Sequence, residues 1–293
     1  MNIIIFGSTG MLGSSVIKEF VKYPKFNVFA TYQSKDKKNI LLKNHSLNRV
    51  TFLKVNIANI DNFRLKKIIS RMDIIINCIG LIKQKRNIKN YYKTMMKINA
   101  LFPKKLNKLS KPKQKIYQIA TDGVYDGYVG RYNEDELHSA TDIYGLSKSK
   151  GEMIEKNFFN IRCSIIGNEL TYSNSLISWF LNTKSNKING YTNHVWNGVS
   201  SIVFAKILIY IIIKKITLPN KFHLVPKNQM SKYNMLMFLK KIYKKNIIIK
   251  RYIKKPNINR TLSTNYKKLN LMLWKNCFKK QLTIKEIIRY TQT

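Results

Sequence analysis

An α/β fold, with a Rossmann-type doubly wound parallel sheet and a smaller C-terminal substrate-binding lobe, is predicted by three observations. Short β-rich apolar runs alternate with segments whose apolar residues recur three and four apart. A glycine triplet follows the first of those runs directly. After about Gly167 the alternation loosens into polar loops and separate helices. These divide the 293 residues into a dinucleotide-binding part, residues 1–166, and a lobe, residues 167–293.

Strands are expected at residues 2–6 ("NIIIF"), 28–31, 50–55, 73–78 and 115–120, each a short run of β-formers. Helices fill the gaps, as at 11–23 and 60–71. Another begins near Tyr144, with a sixth strand at 160–165 after it. Beyond these, "TYSNS" and "NGYTNHVWNG" read as polar loops rather than a continuation of the sheet. The stretch 202–213 contains Lys206 and is too short to span a bilayer, so a buried helix is expected there.

In "IIIFGSTGMLGSSV", Gly7, Gly10 and Gly13 open a helix directly after a strand. Gly7 allows a tight turn, Gly10 lets the backbone approach a pyrophosphate, and Gly13 permits close packing of helix on sheet. The helix N-terminus then offers free N–H groups and a partial positive charge to the phosphates. An ordinary strand–helix turn would use the same glycines for shape alone. The end of the second strand reads the ribose: an acid there suits NAD. This chain has Thr31, Tyr32, Gln33, Ser34 and Lys35, and its first acid, Asp36, comes late. Hydroxyls, an amide and a lysine fit a 2′-phosphate, so NADPH is expected, with NADH the alternative. "NCIG", ending at Gly80, closes the fourth strand with small residues that would floor a nicotinamide site.

"YGLSKSKGE" places Tyr144 four residues before Lys148, on one face of a helix at the carboxyl edge of the sheet. Composition alone predicts roughly three such pairs, and the chain has two, the other being Tyr210 and Lys214 inside an apolar helix. Context separates them. An ammonium beside a phenol lowers its pKa, and such a tyrosine can protonate a carbonyl oxygen as hydride reaches the carbon. Thr121, at the end of the fifth strand, can hydrogen-bond the same oxygen, while Asp122 either caps the loop or reaches the ligand.

Taken in order, the glycine triplet, "ATDGVYDG", "GRYNEDELHSATDIYGLSKSKGE" and "IRCSIIG" resemble the extended short-chain dehydrogenases/reductases, and among them the dTDP-4-dehydrorhamnose reductase family of sugar-nucleotide reductases. The likeness extends loosely into "SLISWFL" and "GYTNHVWNG". It implies reduction of the 4-keto group of a deoxy-sugar nucleotide, with Thr121, Tyr144 and Lys148 as the catalytic trio. It also implies that Gly7, Thr9, Gly10, Met11, Leu12, Thr31, Gln33, Cys78, Ile79, Gly80, Tyr144 and Lys148 meet the cofactor. Thr121, Asp122, Val124 and Tyr125 would meet the substrate. Ala120 departs from the family's usual Ser-Thr-Asp. A regulatory subunit of this fold, like that of methionine adenosyltransferase, would bind the cofactor without turnover, but need not keep all three catalytic residues.

The charge is extreme, 54 − 14 = +40 from Lys and Arg against Asp and Glu. It is spread along the chain and accompanied by inflated Asn and Ile, which points to AT-rich codon drift rather than a specific nucleic-acid partner. Three distant cysteines and four scattered histidines suggest neither disulfides nor a metal site. The N-terminus lacks a basic leader, so a cytoplasmic protein without a membrane partner is expected. A homodimer is compatible with all of this.

Overall fold

The computed structural model describes residues 1–43, 46–83, 90–170 and 175–292; most of the expected "TYSNS" loop, residues 171–174, lies outside these. The first part of the chain runs β1 (Asn2–Phe6), α1 (Met11–Phe20), β2 (Asn27–Tyr32), α2 (Lys35–Lys43), β3 (Val50–Lys54), α3 (Asn62–Ile69), β4 (Ile74–Asn77), α4 (Tyr91–Met96), α5 (Phe102–Leu109), β5 (Lys115–Ala120), α6 (Ile143–Ser149) and β6 (Phe158–Arg162). There follow β7 (Ile165–Ile166), α7 (Leu176–Asn182), β8 (Lys187–Tyr191), β9 (His194–Trp196), β10 (Val199–Ser200), α8 (Ser201–Ile213) and β11 (Lys221–His223). The chain ends with β12 (Met230–Ser231), α9 (Lys232–Ile242), β13 (Ile248–Tyr252), β14 (Ile258–Asn259), α10 (Lys267–Phe278) and α11 (Ile284–Arg289).

The central sheet is parallel throughout, in the order β11-β6-β5-β4-β1-β2-β3. Its strands read as continuous apolar runs because both faces are covered. In β1, Ile3 and Ile5 enter one core while Ile4 and Phe6 enter the other. The same alternation recurs in β4, where Ile74 and Ile76 oppose Ile75. The core containing Ile4 lies under α3 and α5, with Leu65, Phe102 and Leu106. The larger core lies under α1 and α8 and reaches α10 and α11 through Trp274, Ile284 and Ile287. Burying each such side chain contributes about 1.5–3 kcal/mol.

Two expectations are corrected. The last third of the chain does return to the sheet: β11 pairs in parallel with β6. Three residues are too few for a period-2 signal, and only packing on β6 makes them a strand. The stretch expected as a polar loop, "NGYTNHVWNG", instead forms most of β8 and all of β9, which pair with β13 and with β12 and β14, and it ends just before β10. Its polar residues sit on short strands with an exposed face, where alternation is masked. The sixth strand also ends early, at Arg162, and the chain then turns into β7. The expected buried helix is present as α8, which packs against α1, with Ser15 Oγ donating to Ser201 Oγ at 2.8 Å. Tyr210 and Lys214 lie at its C-terminal end. No helix among the described residues is long and apolar enough to cross a membrane.

Because α8 shares one core with β1 and α1, the two parts should unfold together. Phe204→Ala, at a position 1% exposed, should cost about 3–5 kcal/mol. Urea titration followed by tryptophan fluorescence, which reports Trp179, Trp196 and Trp274 in the C-terminal part, and by far-ultraviolet circular dichroism should give coincident midpoints, both lowered in the variant.

Candidate active site

Between β1 and α1 the chain turns sharply. Gly7 adopts φ +81°, a value that favours glycine, and its carbonyl accepts from Gly10 N–H at 3.0 Å. A Cβ on Gly13 would stand 2.1 Å from the same carbonyl, so only glycine allows the helix so close. β2 holds the loop: Gly7 N–H donates to Thr31 Oγ1 at 3.1 Å, and Ser8 Oγ to the Thr31 carbonyl at 2.9 Å. α1 starts at Gly10 without a side-chain cap or an acid in its first turn. Its positive end is therefore available to a phosphate.

Two residues expected at the cofactor are turned inward. Leu12 packs in the core, leaving only its backbone for a phosphate, and the buried Thr31 hydroxyl anchors the loop instead of facing a ribose. Thr9 and Met11 are half-buried on the loop, and Gln33 is exposed just past β2. There Ser34 Oγ accepts from Lys37 N–H at 3.3 Å, and Lys38 Nζ lies 5.1 Å over the Tyr32 ring. At the end of β4, Asn77 Oδ1 accepts from Ile79 N–H at 3.1 Å. Burial pushes the Cys78 thiol up to about 12, against the opposing pull of Lys148, so it is inert. A Cβ on Gly80 would lie 3.9 Å from Lys148 Nζ, which puts the lysine beside this floor.

The trio converges at the mouth of the sheet. Tyr144 Oη donates to Thr121 Oγ1 at 3.4 Å, and Thr121 also accepts from Gly123 N–H at 3.0 Å while donating to Asp122 Oδ1 at 3.2 Å. Lys148 Nζ, buried, donates to the Ile119 carbonyl at 2.8 Å. Burial lowers Lys148 to about 8, opposed by Glu152, Cys78 and Cys163. The phenol does not follow the sequence expectation. Burial raises Tyr144 to about 12; the Thr121 hydrogen bond and the Arg260 charge oppose this, and Asp122 and Asp142 reinforce it. Desolvation is the largest of these influences and sets the direction. The result is a tyrosine protonated at neutral pH, as a proton donor must be. Val124 and Tyr125, expected at the substrate, have fully buried side chains packed with Tyr132 and Leu262, and Tyr125 Oη is taken by Asn133 and Arg162. Asp122 remains half-buried at the edge, its pKa raised by burial against Arg260, Thr121 and Lys232.

Several supporting residues escaped the sequence reading. A π-helical turn, Lys97–Leu101, places the buried Asn99 so that its Oδ1 accepts from Leu81 N–H at 2.8 Å. Its Nδ2 donates to the Leu81 carbonyl and to Ser147 Oγ, both at 3.0 Å, which joins the floor beside Gly80 to α6. Such a bulge often marks a functional site, but nothing in the local sequence signals it. Asp142 caps α6 by accepting from Tyr144 and Gly145 N–H groups and takes Lys83 Nζ at 2.7 Å. Gly123 and Gly145 let the Thr121 loop touch α6: a Cβ on Gly123 would meet Tyr144 Cε1 at 2.8 Å. Their glycine-rich motifs were visible; the close approach was not.

With this geometry in hand, the chain can be compared with known proteins. Residues 1–248 match the family described as RmlD substrate binding domain. The chain belongs to this family. No curated protein matches it in sequence. Among solved structures, the chain is similar to a dTDP-4-dehydrorhamnose reductase of Bacillus anthracis in complex with NADP (15% identity, TM-score 0.73, 99% of this chain and 98% of that one). It is also similar to a hypothetical dTDP-4-dehydrorhamnose reductase of Sulfolobus tokodaii (20%, 0.71, 89% and 92%). A third likeness is to a UDP-glucuronic acid 4-epimerase of Bacillus cereus with UDP-glucuronic acid and NAD (16%, 0.76, 99% and 97%). Identities this low speak for the fold.

Two outcomes follow from the site. Gly123→Ala should push the Tyr144 ring off its position and cut carbonyl reduction roughly tenfold or more, with NADPH affinity and the circular dichroism spectrum kept. Lys148 loses its proton as pH rises through about 8 in the free protein, so NADPH affinity by fluorescence titration should weaken above that pH. Lys148→Met should bind more weakly and lack this alkaline limb.

Proposed function

We propose that the protein is a cytoplasmic, NADPH-dependent oxidoreductase that reduces the 4-keto group of a deoxy-sugar nucleotide, serving dTDP-L-rhamnose or related nucleotide-sugar biosynthesis. The observation that carries this reading is the convergence of Thr121, Tyr144 and Lys148 beside the glycine loop and Gly80. Membership of the family and the NADP and sugar-nucleotide complexes of its structural relatives support it.

The residues present fit a nicotinamide dinucleotide. The space at Gly13 admits no side chain, and α1 presents an uncapped N-terminus to a pyrophosphate. When bound, the cofactor supplies the hydride. Loop 7–13 holds its phosphates, and Lys148 holds ribose hydroxyls. Gln33, Ser34 and the lysines after β2 favour a 2′-phosphate, which is why NADPH is preferred to NADH. Tyr144 would give its phenolic proton to the carbonyl oxygen of the substrate, and water would return a proton to the tyrosine. Thr121 orients that oxygen, and Asp122 lies beside it. Residues 1–166 are read as the cofactor part and residues 167–293 as the substrate side, a division of labour rather than of packing. A cofactor-binding subunit without turnover is not favoured, because it would need no such trio.

Tyr144→Phe keeps the ring and removes the proton. NADPH oxidation with a dTDP-4-keto-6-deoxyhexose should fall by a factor on the order of 10² to 10⁴, with NADPH binding little changed. Tyr210→Phe, in α8, should leave the rate unchanged. Full turnover by Tyr144→Phe would overturn the reading.

A further inference from the structure

The chain leaves β4 through Cys78 and Gly80, and it is fixed at Leu81. The Leu81 N–H donates to Asn99 Oδ1 at 2.8 Å, and its carbonyl accepts from Asn99 Nδ2 at 3.0 Å. Two residues further on, Lys83 reaches the start of α6. Its Nζ donates to Asp142 Oδ2 at 2.7 Å and lies over the Tyr144 ring, 5.8 Å from the centroid. Lys83 is one lysine among many and stands 59 residues from Asp142, so the sequence does not single it out.

One side chain therefore meets both the cap of the reacting helix and the reacting phenol. Asp142 uses Oδ1 for the Tyr144 and Gly145 N–H groups, at 3.0 and 3.1 Å, and gives Oδ2 to the ammonium. The two duties fall on separate oxygens, so the cap does not require the lysine. The side chains of Lys83 and Asp142 are 36% and 35% exposed, and an ion pair so placed adds little to stability. Its consequence is the charge it sets beside Tyr144. A tyrosine that gives up its proton becomes an anion, spread from the oxygen into the ring. Asp122 and Asp142 both oppose such a charge. Lys83 acts on both sides of that balance: it neutralises Asp142 at contact distance, and it attracts ring electrons whose density grows as the anion forms.

We propose that Lys83 is a positioning residue for the reduction, acting through Tyr144: its ammonium, held by Asp142 over the ring face, stabilises the negative charge that the phenol acquires as it protonates the carbonyl oxygen. This rests on the reductase reading above. No proton passes through Lys83, and the phenolic proton goes to the substrate oxygen. The anchor at Leu81 sets the backbone from which the lysine reaches, so the loop after β4 supplies a charge to the reaction as well as a floor for the cofactor.

The test follows NADPH absorbance with a dTDP-4-keto-6-deoxyhexose. Lys83→Met keeps an unbranched stem and removes the charge. Its kcat should fall on the order of tenfold, while KM for the sugar and Kd for NADPH change by less than about twofold. Lys83→Arg, which keeps a cation, should recover most of the rate. Asp142→Asn keeps an acceptor for the cap and removes the carboxylate charge, so adding it to Lys83→Met should restore part of kcat. A full rate in Lys83→Met overturns the proposal. So does a loss that Lys83→Arg shares, or one that the double variant leaves untouched, since either would make the lysine a strut rather than a charge. If Tyr144→Phe turns over at the full rate, the reductase reading fails first and this one with it. A Tyr144→Phe defect beside a full rate in Lys83→Met removes this inference alone.

Discussion

A single guanidinium holds the active site to its frame. Arg162, at the end of β6, is 1% exposed and donates from Nε to both Glu152 carboxylate oxygens at 2.9 and 3.0 Å. Nη2 reaches Glu152 Oε2 at 2.6 Å and His138 Nε2 at 2.7 Å; Nη1 reaches Tyr125 Oη and His223 Nε2, both at 3.0 Å. A guanidinium only donates, so both imidazoles must present a bare Nε2. Their protons then sit on Nδ1, facing Ser149 Oγ at 2.6 Å and the Ser263 carbonyl at 2.8 Å. Burial keeps both rings neutral by lowering their pKa values, that of His223 to about 4. Glu152 lies four residues past Lys148, just beyond the end of α6, Tyr125 follows the Thr121 loop, and His223 belongs to β11. The segments around Thr121, Tyr144 and Lys148 are therefore referred to one buried charge. Removing either partner of such a pair costs roughly 3–5 kcal/mol.

On this frame, reactivity is set by desolvation more than by charge. Tyr144 and Lys148 occupy the same helix face, yet burial moves them in opposite directions, the phenol up and the ammonium down. Each is driven toward its neutral form. The sheet edge thus presents a neutral phenol beside an ammonium whose pKa is lowered to about 8. Asp142 is the contrast: burial raises it, but the Lys83 and Gly145 hydrogen bonds outweigh that and hold its carboxyl low. It stays charged where it caps the helix and adds nothing to the proton inventory at the carbonyl.

Much of the frame was legible in the sequence, because parallel strands buried on both faces write long apolar runs. β1 and β5 coincide with the expected boundaries, and β2, β3 and β4 differ by a residue or so at an end. The glycine loop was legible for a related reason, since close backbone approach admits only one residue type. What failed to show depends on partners distant in the chain. β11 is a strand because of β6, and Asn99 matters because a π turn aims it at Leu81 and Ser147. Val124 and Tyr125 adjoin the reacting residues in sequence, but the turn after Thr121 sends their side chains into a small core with Leu262. The upward shift of Tyr144 did not show because spacing reveals a neighbouring lysine but not how deeply the phenol is buried.

The seventh strand bears on how the chain matures. Residues 221–223 leave the ribosome long after the glycine loop and the trio have been made. Until they arrive, β6 is an open rim with unpaired amides, and Arg162 lacks the imidazole of His223. The central sheet is therefore complete only when the C-terminal part of the chain has been made. Synthesis of the two parts is sequential, but their consolidation is a single event, and a ribosome that stalls before residue 221 releases a sticky edge rather than a working half.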